Sequence, residues 1–374
     1  MNRQNKIFTY LFTSLLMITT IRVADACTGI RLMSKDGSPI FGRTMEFGGE
    51  MLPFSLIVVP RGHTYTGNTP DGENGMKWNV DLGFVTAVPT AMPGAAVEGI
   101  NEAGLQGGGF FFDPYPKAKW QKADPENYDK TISGWQVITY ILSKARTVED
   151  VKRLLPKINV VEGVSVPDEM GWGIEPKVHY AFNDETGASI VVQYLNGELN
   201  IFDNPLGTLT NAPDFQWHQE NLTQFTSLPI NQVPPFELVQ ETEGPTGLDI
   251  GSKADLPGAM TSQNRFVRAA IFSQTALPFD DAETGVQRVL NILHNFDIPY
   301  GYKSYRHVNG DTYPQYTQWT SISDLRNRRL YFKTFANPTV QYIDLNDVDL
   351  DNDKIVTIPV STGFTAQSVT LPNN

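Results

Sequence analysis

Alternating apolar and polar residues, broken by turns rich in Gly, Pro and Asn, dominate the chain beyond residue 26. The pair Asp36-Gly37 lies between two such runs and is typical of a tight turn, so residues 28–33 and 39–47 are predicted to form a β-hairpin. Shorter runs predict strands at residues 54–59 and 82–88. The first part of the domain is therefore expected to be rich in strands.

Apolar residues recur at helical spacing in two later regions. One predicted helix covers residues 132–145, and Thr147 is positioned as the N-cap of a second helix. Another helical pair is predicted at residues 264–276 and 281–296. Strand signals occupy residues 179–202 and 317–356. Because the helical pairs are segregated from the strands, this order predicts an α+β fold rather than βαβ repeats.

The two-residue turn of the predicted hairpin determines which residues face each other. It places Cys27 opposite Glu46, and it brings Arg43 back towards the start of the domain. Arg43 and Glu46 would point to opposite faces of a regular strand. A bulge or bend after Gly42 is therefore needed if both charges serve one site.

Residues 1–26 have the pattern of a secretory signal peptide. A basic start precedes an apolar run over residues 7–21, and Ala24-Asp25-Ala26 supplies a small-x-small cleavage site. The apolar run is shorter than the ~20 residues that a membrane-spanning helix needs. The pattern predicts export and cleavage after Ala26.

The charge of the chain narrows the range of partners. The 374 residues carry a formal net charge of −12, and removing a leader of net charge +2 leaves −14. Neither nucleic acid nor, after processing, a membrane is expected as a partner, and a small-molecule substrate fits better. The five histidines lack the spacing of a metal site and there is no second cysteine, so no metal or other cofactor is predicted.

Cys27 is the only cysteine and would become the first residue after cleavage. It could carry a lipid anchor, although Ala24 and Asp25 fit a lipidation signal poorly. It could be a small buried side chain. It could also be a nucleophile, because an unpaired cysteine in an exported protein is a candidate reactive thiol.

An N-terminal cysteine carries its own base. The α-amine has an ordinary pKa of about 7.7–8.0 and the thiol one of about 8.5, so the amine can take the thiol proton near neutral pH. Arg43 near the sulfur would favour the thiolate, and Glu46 could hold the amine. An ordinary ion pair between Arg43 and Glu46 is the alternative reading, and a histidine brought close by the fold could replace the amine as base.

Several short motifs follow one another along the chain in a fixed order. The first set consists of Cys27-Thr28-Gly29, Lys35-Asp36-Gly37 and Phe41-Gly42-Arg43-Thr44-Met45-Glu46. Later motifs lie at residues 101–105, 209–215, 256–258, 262–266, 316–319 and 330–332. Together they resemble the choloylglycine hydrolase family, a group of N-terminal nucleophile hydrolases that includes conjugated bile acid hydrolases and penicillin V acylases.

The resemblance implies both a fold and a set of site residues. The fold is a four-layer αββα sandwich, with two antiparallel sheets between helix layers, formed by a single domain over residues 27–374. Cys27 would be the nucleophile, and Arg265 would line it together with the arginine of the hairpin. Asn211 would donate to the oxyanion, and the backbone N–H of Phe111 would be the second donor.

Two positions depart from the family pattern. Glu46 stands where the family usually has Asp, and Phe111 stands where bile salt hydrolases usually have Asn. The second departure weakens the expectation of a bile salt substrate. The other residues predicted to line an apolar acyl pocket are Phe47, Phe110, Phe112, Tyr115 and Trp172.

These features predict an exported amidohydrolase that cleaves N-acyl compounds through a thioester, and the resemblance to the Gram-negative branch implies a periplasmic one. Penicillin V acylase activity is the first expectation, with N-acyl homoserine lactones as further substrates. Conjugated bile salt hydrolysis is the enzymatic alternative. A lipid-anchored binding protein and a non-catalytic exported domain are the alternatives from other classes. The resemblance also implies a homotetramer.

Overall fold

The computed structural model describes residues 27–48, 54–89, 92, 94–163, 176–225, 256–306, 311–361, 363–366 and 368. The predicted signal peptide at residues 1–26 and Trp172 of the predicted acyl pocket lie outside the described residues. Within the described part, no helix is both long enough and apolar enough to cross a membrane.

Strands make up most of the described secondary structure. The strands are β1 (Thr28–Met33), β2 (Pro39–Gly48), β3 (Phe54–Val59), β4 (Thr64–Thr66), β5 (Lys77–Asn79), β6 (Phe84–Pro89), β7 (Glu98–Asn101), β8 (Gln106–Phe111), β9 (Thr131–Ser133), β10 (Asn159–Val161), β11 (Val178–Asn183), β12 (Ser189–Leu195), β13 (Glu198–Asp203), β14 (Lys303–Arg306), β15 (Thr312–Asp324), β16 (Arg329–Thr334), β17 (Gln341–Asp344) and β18 (Val356–Ile358). The helices are α1 (Val137–Lys144), α2 (Val148–Leu154), α3 (Phe215–Leu222), α4 (Ser262–Gln274) and α5 (Ala282–Leu293).

Two antiparallel sheets stack face to face between helices. One sheet has six strands in the order β1-β2-β15-β16-β17, with β14 paired to the start of β15. The other has eight strands in the order β13-β12-β11-β8-β7-β6-β3-β18. Helices α4 and α5 pack on the first sheet, and α1 and α2 pack on the second. The predicted four-layer α+β fold is confirmed.

The opening hairpin forms where it was predicted, but its register differs by one residue. The predicted two-residue turn is wrong, because the loop between β1 and β2 runs over residues 34–38. Gly29 consequently pairs with Arg43. Continuing this register places Met45 opposite Cys27, where Glu46 was predicted.

A β-bulge interrupts the pairing of β2 with β15 near the end of the hairpin. Thr317 pairs with Glu46 and Trp319 pairs with Met45, which leaves Gln318 as the extra residue. An irregularity was predicted on β2 itself, and the structure places it on the neighbouring strand. The shift therefore falls within the segment that carries the candidate site residues of β2.

Capping side chains mark where the helices begin. Thr147 caps α2 as predicted, since its Oγ1 accepts a hydrogen bond from the backbone N–H of Asp150 (3.2 Å). Asp281 caps α5 in the same way. Helix α3 and the central strands β7 and β8 were not predicted. The run Gly107-Gly108-Gly109 within β8 lacks the side chains from which a strand is recognised.

Candidate active site

A short antiparallel bridge fixes the start of β1 against the segment before α3. Gly29 N donates to Leu209 O (2.8 Å), and Leu209 N donates to Gly29 O (3.1 Å). Continuing this register by two residues places Cys27 opposite Asn211. A Cβ at position 29 would lie 2.7 Å from the ring of Phe110, so this close approach requires glycine.

The side chain of Asn211 links the segment that carries Cys27 to strand β8. Its Oδ1 accepts a hydrogen bond from the backbone nitrogen of Cys27 (2.8 Å), and its Nδ2 donates to Phe111 O (2.9 Å). The backbone N–H of Asn211 donates to Ser262 Oγ (2.9 Å). The three residues predicted for nucleophile and oxyanion stabilisation are thus joined by successive hydrogen bonds.

The backbone of Phe111 is oriented by the ladder between β8 and β11. Its neighbour Phe112 donates its backbone N–H to Lys177 O (2.8 Å). Because donors alternate along an antiparallel strand, the N–H of Phe111 points away from β11. Its proposed use as an oxyanion donor stays a prediction.

Arg265 lies in the first turn of α4 and is fully buried against the segment that carries Cys27. Its Nη1 donates to Cys27 O and to Thr28 Oγ1, the latter at 2.8 Å. Its Nη2 donates to Asn211 Oδ1 (2.8 Å). The guanidinium therefore places positive charge beside Cys27 and holds the amide of Asn211 in one orientation.

Arg43 reaches Cys27 through the sulfur of Met45. Its Nη2 lies 3.4 Å from Met45 Sδ, which in turn lies 3.6 Å from Cys27 Sγ. Its Nη1 donates to Gly109 O (2.6 Å), and its guanidinium carbon lies 4.4 Å from the centroid of the Phe110 ring. Arg43 was predicted beside the thiol, and the structure inserts a thioether between them.

A buried carboxylate that was not predicted faces Arg43 from the opposite sheet. Glu98 Oε2 lies 3.8 Å from Arg43 Nε, and both side chains are at most 4% exposed. Trp319 Nε1 and Ser321 Oγ each donate to a different oxygen of Glu98 at 2.5 Å. Such full hydrogen bonding is what a buried ion pair requires. The sequence feature that could have indicated Glu98 is a single charge within the apolar run at residues 95–100.

Glu46 lines the same cavity as Cys27, and its hydrogen bond goes to β15. Thr317 Oγ1 donates to Glu46 Oε1 (2.9 Å), whereas Glu46 Oε2 is buried with no hydrogen-bond partner among the described residues. Burial raises the pKa of the Glu46 carboxyl to about 7, against the opposing effect of the Arg265 charge. The role predicted for Glu46, holding the amine of Cys27, stays a prediction.

Two buried histidines hold the backbone of the segment that carries Asn211. His179 Nε2 donates to Thr210 O (2.8 Å), and its Nδ1 accepts from Gln193 Nε2 (2.7 Å). His218 Nε2 donates to Asn211 O (2.9 Å). Burial lowers the pKa of His179 to about 3 and that of His218 to about 4. Both imidazoles are therefore neutral near pH 7 and support the site through hydrogen bonds.

A narrow cavity lies next to Cys27. Its volume of about 20 Å³ is close to the space that one water molecule needs. Of the predicted pocket residues, Phe47 and Phe111 lie on its wall, while Phe54 and Trp135 were not predicted. Its main apolar lining residues are Met45, Phe47, Phe54, Phe111, Trp135 and Val178.

Three other predicted pocket residues lie elsewhere. Phe110 and Phe112 are buried in the core beside His179, and the ring of Phe112 stacks on the imidazole at 4.2 Å. The hydroxyl of Tyr115 donates to Asp214 Oδ2 (2.5 Å). Within the described residues, none of the three lines the nucleophile cavity.

Two stacked antiparallel sheets between helix layers, with the lone cysteine at the head of a strand in one of them, are the fold of the N-terminal nucleophile hydrolases. The chain belongs to the choloylglycine hydrolase family of linear amide C-N hydrolases, whose family model matches residues 27–358. The predicted family and enzyme class are confirmed.

Relatives of known activity cover nearly the same region. The bile salt hydrolase/transferase of Clostridium perfringens is 32% identical over 88% of this chain and 96% of its own. The penicillin V acylase of Pectobacterium atrosepticum is 21% identical over 83% of this chain and 78% of its own. A solved structure of the conjugated bile acid hydrolase from Clostridium perfringens covers 92% of this chain and 100% of its own with a TM-score of 0.72 and 27% identity.

Proposed function

We propose that this protein is an exported amidohydrolase in which cleavage after Ala26 makes Cys27 the first residue and the nucleophile. The hydrogen bond from the nitrogen of Cys27 to Asn211 Oδ1 carries the proposal, because it holds that nitrogen in the site next to the sulfur of the same residue. In the uncleaved chain this nitrogen belongs to a peptide bond. Cleavage would convert it into an amine that can accept a proton.

Acylation would move one proton and exchange one bond. The amine of Cys27 takes the thiol proton, and the sulfur attacks the carbonyl carbon of the substrate amide. Asn211 Nδ2 and the backbone N–H of Phe111 stabilise the oxyanion, each worth roughly 3 kcal/mol. The C–N bond then breaks, the amine returns its proton to the leaving nitrogen, and the acyl group remains on the sulfur as a thioester.

Deacylation would use the same amine as base. The amine takes a proton from water, and the water oxygen attacks the thioester carbonyl. The C–S bond then breaks, the amine returns its proton to the sulfur, and the carboxylic acid leaves. Positive charge near the sulfur favours the thiolate in both steps. Arg265 supplies it through its contact with Cys27 O, and Arg43 supplies it across Met45.

The walls of the nucleophile cavity support a substrate with an apolar acyl group. Phe47, Phe54 and Trp135 line it with aromatic surface, which favours an apolar group such as phenoxyacetyl or an acyl chain. Because the cavity itself holds about one water molecule, these walls must move apart when the acyl group enters. We therefore place penicillin V first and N-acyl homoserine lactones second. Conjugated bile salts are the other candidate, favoured by the 32% identity to the Clostridium perfringens bile salt hydrolase/transferase.

Export to the periplasm and assembly into a homotetramer belong to the same proposal. The apolar run over residues 7–21 and the cleavage site Ala24-Asp25-Ala26 support export. The family resemblance supports the tetramer. Cell fractionation and light scattering on the purified protein measure the two properties separately.

Processing and chemistry are tested in sequence. N-terminal sequencing of protein purified from the periplasm should begin at Cys27, and any other first residue contradicts the mechanism. The intact mass should equal that of residues 27–374, whereas a diacylglycerol adduct would instead support the lipid-anchored binding protein. Turnover of penicillin V, glycine- and taurine-conjugated bile salts and N-acyl homoserine lactones then identifies the substrate. Cys27→Ser should abolish that turnover.

A further inference from the structure

A second cavity, larger than the one beside Cys27, lies between the two sheets. Its volume is about 340 Å³, which is within the usual range of small-molecule sites. Its walls come from β3, β6, β7, β15, β16 and β18, and they are mainly apolar. Representative lining residues are Leu56, Ala87, Leu330, Phe332, Ile358 and Val360.

We call this larger space the inter-sheet cavity. Phe54 separates it from the nucleophile cavity, which is the smaller one beside Cys27. Among the described residues it is the one side chain that lines both. It is only partly buried, and its ring packs edge-on against Trp319 with centroids 4.6 Å apart. A rotation of this single side chain would join the two spaces. The gap left by one phenyl ring suits an unbranched methylene chain better than a fused ring system.

The polar groups of the inter-sheet cavity favour an uncharged occupant. Glu98 is the charged residue on its wall, and both carboxylate oxygens already accept hydrogen bonds from Trp319 and Ser321. A buried carboxylate repels an anionic ligand. Trp319 and Ser321 already donate to Glu98, so their hydrogens do not bind a polar ligand. The remaining surface offers apolar contact.

We propose that the inter-sheet cavity binds the distal part of a long, unbranched acyl chain whose carbonyl lies at Cys27, with Phe54 as the gate between the two cavities. This rests on the proposed amidohydrolase function and names a substrate class for the same nucleophile. Each methylene that leaves water for such a cavity raises kcat/KM about fourfold. The protein would therefore favour long-chain over short-chain N-acyl substrates.

The test uses N-acyl homoserine lactones with butanoyl, octanoyl and dodecanoyl chains and the processed protein. Its readout is the ratio of kcat/KM for the dodecanoyl substrate to that for the butanoyl substrate. Ala87→Phe fills the inter-sheet cavity and should lower this ratio at least tenfold, by the loss of about two buried methylenes. Ala103→Phe is the matched control, because Ala103 is also half-buried but lines neither cavity.

Two further variants keep the result interpretable. Thr357→Trp fills the cavity from its exposed rim, so it tests the same space if Ala87→Phe fails to fold. Phe54→Ala opens the passage and should raise the ratio, and adding Ala87→Phe should reverse that gain. Equal ratios in the wild type, the folded filling variants and the control would overturn the cavity assignment alone. No turnover of any substrate, penicillin V included, would overturn the proposed function and this proposal with it.

Discussion

The nitrogen of Cys27 and the side-chain oxygen of Asn211 lie 2.8 Å apart although 184 positions separate the two residues in the chain. Arg265 Nη2 donates to the same oxygen. Two donors on Oδ1 determine which end of the amide is the acceptor, so Nδ2 must face Phe111 and β8. The orientation that the proposed oxyanion donor needs is therefore set before any substrate arrives.

Asn211→Asp should separate the two roles of this side chain. An aspartate keeps the oxygen that accepts from Cys27 and Arg265 but loses the Nδ2 donor. We expect kcat to fall about 100- to 1000-fold, the usual cost of one oxyanion donor. The melting temperature should fall by a few degrees only, because Phe111 O loses its donor while Oδ1 keeps its two hydrogen bonds. Asn200→Ala, at a partly buried asparagine on β13, should leave kcat unchanged, and an equal loss in both variants would contradict the assignment.

Glu98→Gln should reveal a positioning role for the carboxylate that faces Arg43. The amide keeps the shape of the side chain and an acceptor for Trp319 or Ser321, but it removes the charge 3.8 Å from Arg43 Nε. Without that partner the guanidinium is held less firmly against Met45, so the thiolate is less stabilised. We expect kcat/KM to fall about tenfold.

The pH profile distinguishes positioning by Glu98 from general damage. The acidic limb of the kcat/KM profile should move to higher pH in Glu98→Gln, because the thiolate forms less readily when Arg43 is displaced. A uniform fall at every pH, with an unmoved limb, would argue for a purely structural role. Rescue by Glu98→Asp should be partial, since the carboxylate returns but is one methylene shorter.

Glu46 should make the protein less stable as the pH rises. Its folded pKa of about 7 lies above the ordinary value of 4.5, so the folded state binds more protons than the unfolded state between these values. The contribution of Glu46 to the free energy of unfolding therefore falls from pH 4.5 to pH 7, by on the order of 3 kcal/mol, and it opposes the rise that the buried histidines give over much of the same range. In urea unfolding, the stability of Glu46→Gln should rise more steeply with pH than that of the wild type over this range. Parallel curves for the variant and the wild type would contradict the burial argument.

The two buried histidines should make the protein sensitive to acid. Their folded pKa values, about 3 for His179 and about 4 for His218, lie below the ordinary value of 6.5. The unfolded state then binds the extra protons, so stability is complete above pH 6.5 and falls as the pH drops towards 4. Each histidine contributes about 3 kcal/mol to this fall.

Substitution of one histidine should remove the stability loss on acidification that this histidine causes. His218→Gln can still donate to Asn211 O, and it does not titrate. Its free energy of unfolding, measured by urea titration at several pH values between 4 and 7, should change less steeply than that of the wild type. A slope equal to that of the wild type would show that His218 does not determine the acid response.

Local patterns were sufficient to predict most of the outer elements. The Thr147 cap, the strand at residues 54–59 and the second helical pair each depend on neighbouring residues, and the structure has them. The helix predicted over residues 132–145 begins only at Val137, because residues 131–133 form β9. The hairpin register failed because the loop over residues 34–38 is longer than its Asp-Gly pair suggested. Loop length decides register, and a difference of one residue exchanges every facing pair.

The candidate site was only partly predictable for a different reason. Cys27, Asn211 and Arg265 belong to motifs that resemble a family, so their proximity could be expected before the fold was known. Glu98 and Phe54 act through contacts between sheets, which no spacing along the chain encodes. The hydrogen bond from Arg43 to Gly109 O is another contact between the sheets.

The bridge between Gly29 and Leu209 has a consequence for the order of events during synthesis. Cys27 is made early, whereas the bridge, Asn211 and Arg265 come from segments made much later. Until those segments fold, the only thiol of the chain has none of the shelter that leaves it 1% exposed in the finished protein. Oxidation or alkylation of Cys27 in the newly made chain therefore competes with folding. A slow-folding variant would lose active protein to thiol damage as well as to aggregation.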